Sequence, residues 1–193
     1  MIPPFLGIFA NIFHFSVACF NGGNFILGGL TLDEPKYVSY GLQVVDGCRD
    51  TYVSTATRIG PEIFRWQDGR TSPAAPNNPG PGSKDSDFFK RAGFWIPNGW
   101  GTYDLRPEVL ESYYYAYRAT RNPKYQDWAW EAFLAINNTC ATGAGYSSLN
   151  NVNSAGGGGF GDIQESFFFA ETLKYAYMIQ AQVRHPSLIC EIL

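Results

Sequence analysis

The segment Leu105-Arg106-Pro107-Glu108-Val109-Leu110-Glu111-Ser112-Tyr113 places a charge cluster at the head of an aromatic helix. Pro107 suits a first helical position, where the N–H it lacks has no intrahelical partner anyway, so the pattern predicts a helix over 107–121. At roughly 100° per residue, Glu108, Glu111 and Tyr115 share one face. Leu110, Tyr113, Tyr114 and Tyr117 form the other. Two readings fit. One is an ordinary amphipathic helix with a solvated acidic first turn, favoured by the helix dipole. The other is a helix packed by its aromatic face, whose two carboxylates line a polar cavity beside Arg106.

The rest of the chain reads as further helices joined by loops. Asp33 is the expected N-cap of a helix over 34–57, in which Tyr37, Tyr40, Val44, Cys48 and Tyr52 follow helical spacing. From Arg65 to Asn98 the periodicity breaks, and Pro73, Pro76, Pro79 and Pro81 mark a surface loop with a short strand at Phe94-Trp95-Ile96. Asn122-Pro123 opens the next helix, with Tyr125, Trp128, Ala129, Ala132, Phe133 and Ile136 as its apolar stripe. Arg121-Asn122 is short enough to make the pair a tight helical hairpin. Thr142 to Gly161 is Gly- and Asn-rich. Gly143-Ala144-Gly145 follows no strand and no Gly-Lys-Ser/Thr is present, which argues against a phosphate loop. The last helix is expected over 163–181. It sets Glu165 and Glu171 among Phe167, Phe168 and Phe169, with Phe167 and Glu171 on one face, and charges in so apolar a stretch need partners or a wet cavity.

Composition narrows the function. A net charge of −3 with no basic run argues against a nucleic-acid surface. An aromatic content of 17% suits rings stacked on sugars, and equally a plain helical core. The run from Met1 to Val17 is apolar but holds no Lys or Arg and is broken by prolines, so it makes neither a convincing signal peptide nor a membrane span. Two histidines and four cysteines without a close cysteine pair give no zinc set.

These two acidic–aromatic clusters stand in order with Ala18-Cys19-Phe20-Asn21-Gly22-Gly23, Ile59-Gly60-Pro61-Glu62-Ile63-Phe64, Tyr117-Arg118-Ala119-Thr120 and Pro123-Lys124-Tyr125-Gln126-Asp127-Trp128. In them the chain resembles the class I α-1,2-mannosidases, glycoside hydrolase family 47, and is most similar to secreted fungal members. The resemblance implies an all-α fold, a partial (α/α)7 barrel with small β-hairpins at the loops. It divides the chain into a non-family segment 1–17, part of a catalytic domain over 18–182 and a divergent tail 183–193. It further implies inverting hydrolysis of terminal α-1,2-linked mannose in high-mannose N-glycans, in the secretory pathway. Two of the family's acids and half its barrel have no match here. The expectation is therefore that the chain as it stands hydrolyses negligibly, with a non-catalytic glycan-binding module or an unstable product as alternatives.

Residue by residue, the resemblance makes Glu108 the general base and Glu62 a candidate proton donor. It makes Arg106, Glu111, Phe167, Glu165 and Glu171 the lining of the sugar pocket. It pairs Cys19 with Cys48, leaving Cys140 and Cys190 without evident partners. Asn137-Asn138-Thr139 is a glycosylation sequon. The family's calcium ion is held by the threonine of a Thr-Glu-Ala-His-Pro motif. The nearest echo here is His185-Pro186 without the threonine or glutamate, so calcium is expected to bind weakly or not at all.

Overall fold

The computed structural model describes residues 14–66 and 86–181. The apolar run before His14, the four loop prolines, His185-Pro186 and Cys190 lie outside the described residues. In chain order come β1 (His14–Phe15), a 3-10 turn (Ser16–Cys19), α1 (Phe20–Thr31), α2 (Pro35–Val53) and β2 (Ile63–Phe64). They are followed by α3 (Ser86–Ala92), α4 (Glu108–Thr120), α5 (Lys124–Cys140), a π-helical turn (Phe168–Leu173) and α6 (Lys174–Gln180). The fold is all-α. Among the described residues a two-stranded sheet pairs β1 antiparallel with β2, His14 against Phe64 and Phe15 against Ile63. Among the described residues no helix is long and apolar enough to cross a membrane.

Helix α1 forms where four glycines in twelve residues argue against a helix. Packing explains it. A Cβ at Gly41 of α2 would lie 2.7 Å from the carbonyl oxygen of Gly22 and 2.9 Å from the nitrogen of Ile26, so α1 and α2 meet backbone to backbone. That approach buries Ile26 and Val45 completely. Ser112 of α4 ties the start of α1 in place, donating to the Cys19 carbonyl at 2.6 Å and accepting the Gly23 N–H at 2.9 Å. Cys19 and Cys48 add a disulfide between the 3-10 turn and α2.

The close contact makes a prediction. Backbone atoms cannot rotate aside, so a methyl at Gly41 meets the upper end of the usual overpacking cost, about 3 kcal/mol. Helix propensity returns only about 1 kcal/mol. Gly41→Ala should therefore lower the unfolding free energy by about 2 kcal/mol in a urea titration. An unchanged midpoint would sink the backbone-contact account.

Helix α4 and helix α5 form the expected hairpin. Arg121 closes α4 in a left-handed conformation at φ 57°, and Tyr113 packs edge-on to Trp128 across the pair. One core joins α1, α2, α4, α5 and α6, with Tyr52, Tyr103, Leu105, Leu110, Tyr113, Ile136, Phe168 and Ile179 all at 1% exposure or less. A second cluster of Phe64, Phe88 and Phe94 lies against it through Ile96.

Several boundaries differ from the sequence expectation. Asp33 does not cap α2; it takes a left-handed φ of 53°, and Glu34 stands at the cap without a side-chain capping bond. The helix ends at Val53 rather than Thr57 because side-chain hydroxyls redirect the chain. Thr55 donates to the Ile59 carbonyl at 2.8 Å and Thr57 to the Val152 carbonyl at 2.9 Å. The expected strand at Phe94-Trp95-Ile96 shrinks to one bridge between Trp95 and Arg65, and α3 occupies part of the predicted loop. Residues 163–165 are not helical. The Ile163 carbonyl accepts the Ser148 N–H at 2.9 Å and Gln164 Oε1 accepts the Tyr146 N–H at 2.6 Å, so both are engaged by the preceding loop.

Candidate active site

Glu62 is fixed before its side chain is considered. Its N–H donates to the Thr102 carbonyl at 2.8 Å and its carbonyl accepts the Ser16 N–H at 2.7 Å. Two residues earlier, Gly60 lies against Tyr52 so closely that a Cβ there would be 2.6 Å from the ring. The buried Tyr52 shares one core with the buried Tyr103, which belongs to the segment carrying the next site residues. Thus the Gly-Pro-Glu turn and residues 103–108 are packed on one support.

Within that support the Glu62 carboxylate, 6% exposed, accepts Arg106 Nε at 2.6 Å on one oxygen and the Asp104 N–H at 3.1 Å on the other. Burial pushes its carboxyl above the ordinary value, and Arg106 pulls against that rise. The Arg106 Nη1 also stands 3.9 Å from Glu108 Oε1, and its guanidinium carbon lies 5.8 Å from the centre of the Phe167 ring. One arginine therefore joins two carboxylates and an aromatic face.

Glu108 opens α4 with its side chain 14% exposed. Its Oε2 is buried and has no hydrogen-bond partner among the described residues. Burial raises its pKa first, and the charges of Glu62 and Glu111 add to the rise, while its own backbone N–H and Arg106 oppose it. A carboxylate held this way is a stronger base than a solvated one.

Glu111 lies one turn on, accepting the Tyr175 hydroxyl at 3.0 Å. Burial raises its pKa, the Tyr175 bond lowers it, and the nearby Glu171 charge raises it further. Phe167 and Glu171 are half-buried on either side of the π-helical turn's start, and Glu165, also half-buried, precedes that turn. The structure thus gathers Glu62, Arg106, Glu108 and Phe167 in one group, with Glu111, Glu171 and Tyr175 beside it. Asn137 stands apart within α5, its amide oxygen accepting the Tyr146 hydroxyl at 2.7 Å.

Tyr52, Tyr103, Thr172 and Tyr175 belong to this arrangement and were not singled out from the sequence. Tyr175 carried a usable signal, its place one helical turn after Glu171. Thr172 carried none, since its partner Leu105 is 67 residues away, and nothing set Tyr52 and Tyr103 apart from ordinary core aromatics.

Among the described residues no three His, Cys, Asp or Glu side chains are grouped to hold a metal ion. Calcium takes roughly six to eight oxygens. Here both oxygens of Glu62 already receive donors and Glu111 receives Tyr175, so these residues do not fit it.

Comparison with known proteins agrees with the geometry. Residues 13–188 match the model of glycosyl hydrolase family 47. A probable mannosyl-oligosaccharide α-1,2-mannosidase 1B from Aspergillus clavatus is 51% identical over 166 residues, which cover 86% of this chain and 30% of that protein. The mannosyl-oligosaccharide α-1,2-mannosidase of Coccidioides posadasii is 48% identical over 165 residues, with the same shares. The solved structure of the α-1,2-mannosidase from Trichoderma reesei superposes with a TM-score of 0.82 at 49% identity, covering 88% of this chain and 34% of that one. The helices described above are accordingly part of an (α/α)7 barrel. The chain spans about a third of the length of the relatives it matches. With its family model matched over nearly its whole length, the chain belongs to glycosyl hydrolase family 47.

Proposed function

We propose that this chain carries part of the active site of an inverting α-1,2-mannosidase, acting in the secretory pathway on terminal α-1,2-linked mannose of high-mannose N-glycans. The observation that supports it best is the Arg106 guanidinium set between Glu62 and Glu108, beside an oxygen of Glu108 that no described residue engages. Inverting hydrolysis needs a base to take a proton from water as that water attacks the anomeric carbon. It also needs an acid to protonate the departing oxygen. Glu108 is the base, working through Oε2. Glu62 is the candidate acid, its protonated form favoured by burial and opposed by Arg106. Arg106, Phe167, Glu111, Glu165 and Glu171 line the sugar site, with Phe167 offering a ring face.

The test uses the chain joined to the N-terminal two thirds of the Aspergillus clavatus relative, and the chain alone. Mannose released from a high-mannose glycan is measured for both, and binding of α-1,2-mannobiose by calorimetry. Release by the joined protein that is lost in Arg106→Ala supports the proposal. Binding without release in both would replace it with a glycan-binding module, and neither binding nor release would overturn it.

A further inference from the structure

Leu105 has a left-handed backbone, φ 61°, although it is neither glycine nor asparagine, and its side chain is fully buried. Such a conformation lasts only where the surroundings hold it. Two hydroxyls do so here. Thr172 Oγ1 donates to the Leu105 carbonyl at 2.6 Å, and the Tyr103 hydroxyl donates to the Arg106 carbonyl at 3.2 Å. The residue so bracketed, Arg106, is the one whose Nε binds Glu62.

The Thr172 bond is not the one a helical threonine ordinarily makes. Threonines in helices turn their hydroxyls back to a carbonyl of the preceding turn. Thr31 does this to Leu27 and Thr120 to Ala116. Thr172 instead reaches a carbonyl 67 residues away while 1% exposed, from within the π-helical turn Phe168–Leu173. Turns of that kind insert one extra residue and often mark functional sites.

We propose that Thr172 is a positioning residue of the active site: its hydroxyl locks the Leu105 carbonyl and so aims the Arg106 guanidinium at Glu62. The proposal rests on reading Glu62 and Glu108 as the catalytic carboxylates, yet its test does not involve the reaction. Lost mannose release and lost arginine alignment are therefore separable results.

The readout is hydrogen exchange of the Arg106 Nε–H by NMR, compared with the backbone amide of Ala116 inside α4, in the 193-residue chain. Thr172→Val keeps the shape and removes the hydroxyl; Thr172→Ser keeps the hydroxyl. In Thr172→Val the Arg106 Nε–H should exchange at least tenfold faster while the Ala116 amide changes less than twofold. Thr172→Ser should restore the arginine signal to within threefold of the starting protein. Thr172→Ala serves as a second variant if valine prevents folding. Unchanged exchange of Arg106 in a folded variant without the hydroxyl would overturn the proposal. So would equal acceleration of Arg106 and Ala116, failure of serine to rescue, or failure of both valine and alanine variants to fold, since each would make Thr172 a support of the whole fold.

Discussion

Glu108→Gln is expected to lower mannose release by about a thousandfold or more in the joined protein, because the step loses the group that takes the water's proton. Binding of α-1,2-mannobiose should change by less than about threefold, since the amide keeps the shape and the base acts in the transition state. The pH profile follows from the same burial. Glu108 works only when ionised, and its folded pKa lies above the ordinary 4.5, so the rate should fall as the pH drops through a value higher than 4.5. Stability has the opposite slope. A carboxyl whose pKa is raised on folding binds its proton more tightly in the folded state, so stability declines as the pH rises from the unfolded value through the folded one. Glu108→Gln removes that contribution. The variant should be more stable than the parent at neutral pH, with a flatter dependence of stability on pH above 4.5. A variant that keeps its activity would refute Glu108 as the base. One that is destabilised at pH 7 would refute the account of its burial.

The helical hairpin α4–α5 was legible because two periodic stripes meet at Arg121-Asn122-Pro123, where left-handed closure and a helix-opening proline agree with the pattern. The first-turn carboxylates of α4 were legible too, but not what they face. Helical spacing placed Glu108 and Glu111 on one side; only the family motifs brought Glu62, 44 residues earlier than Arg106, to the same place. Helix α1 was not legible. Gly22, Gly23, Gly28 and Gly29 depress local propensity, and what Gly22 and Gly29 provide is close approach to α2 and Gly23 close approach to Tyr115 of α4, a property of packed helices that no single segment displays. The start of the last helix was misplaced for a similar reason, since Ile163 and Gln164 are engaged by a loop some fifteen residues away in sequence. The π-helical turn that follows has no compositional signature, yet it is what carries Thr172 to Leu105.

Removing the Cys19–Cys48 bridge is expected to cost about 3–4 kcal/mol, the loop-closure value for a ring of this size. The bonded residues are 29 apart and enclose all of α1 and two thirds of α2. The chain so enclosed is rich in glycine, which has the most freedom to lose on folding. Its tether therefore acts where the unfolded chain is loosest. The consequence reaches the site, because Cys19 also offers the carbonyl that accepts Ser112 of α4, one turn beyond Glu108. The buried thiol of Cys140 has its pKa pushed up to about 12, so it is a poor competitor in thiol exchange. In a Cys190→Ser background the bridge can then be reduced cleanly. Dithiothreitol should lower the urea-derived stability by about 3–4 kcal/mol. Cys19→Ser with Cys48→Ser should show the same loss and no further response to reductant. A loss below about 1 kcal/mol would mean that α1 and α2 hold together through the Gly41 contact and Ser112 alone, with the bridge contributing little.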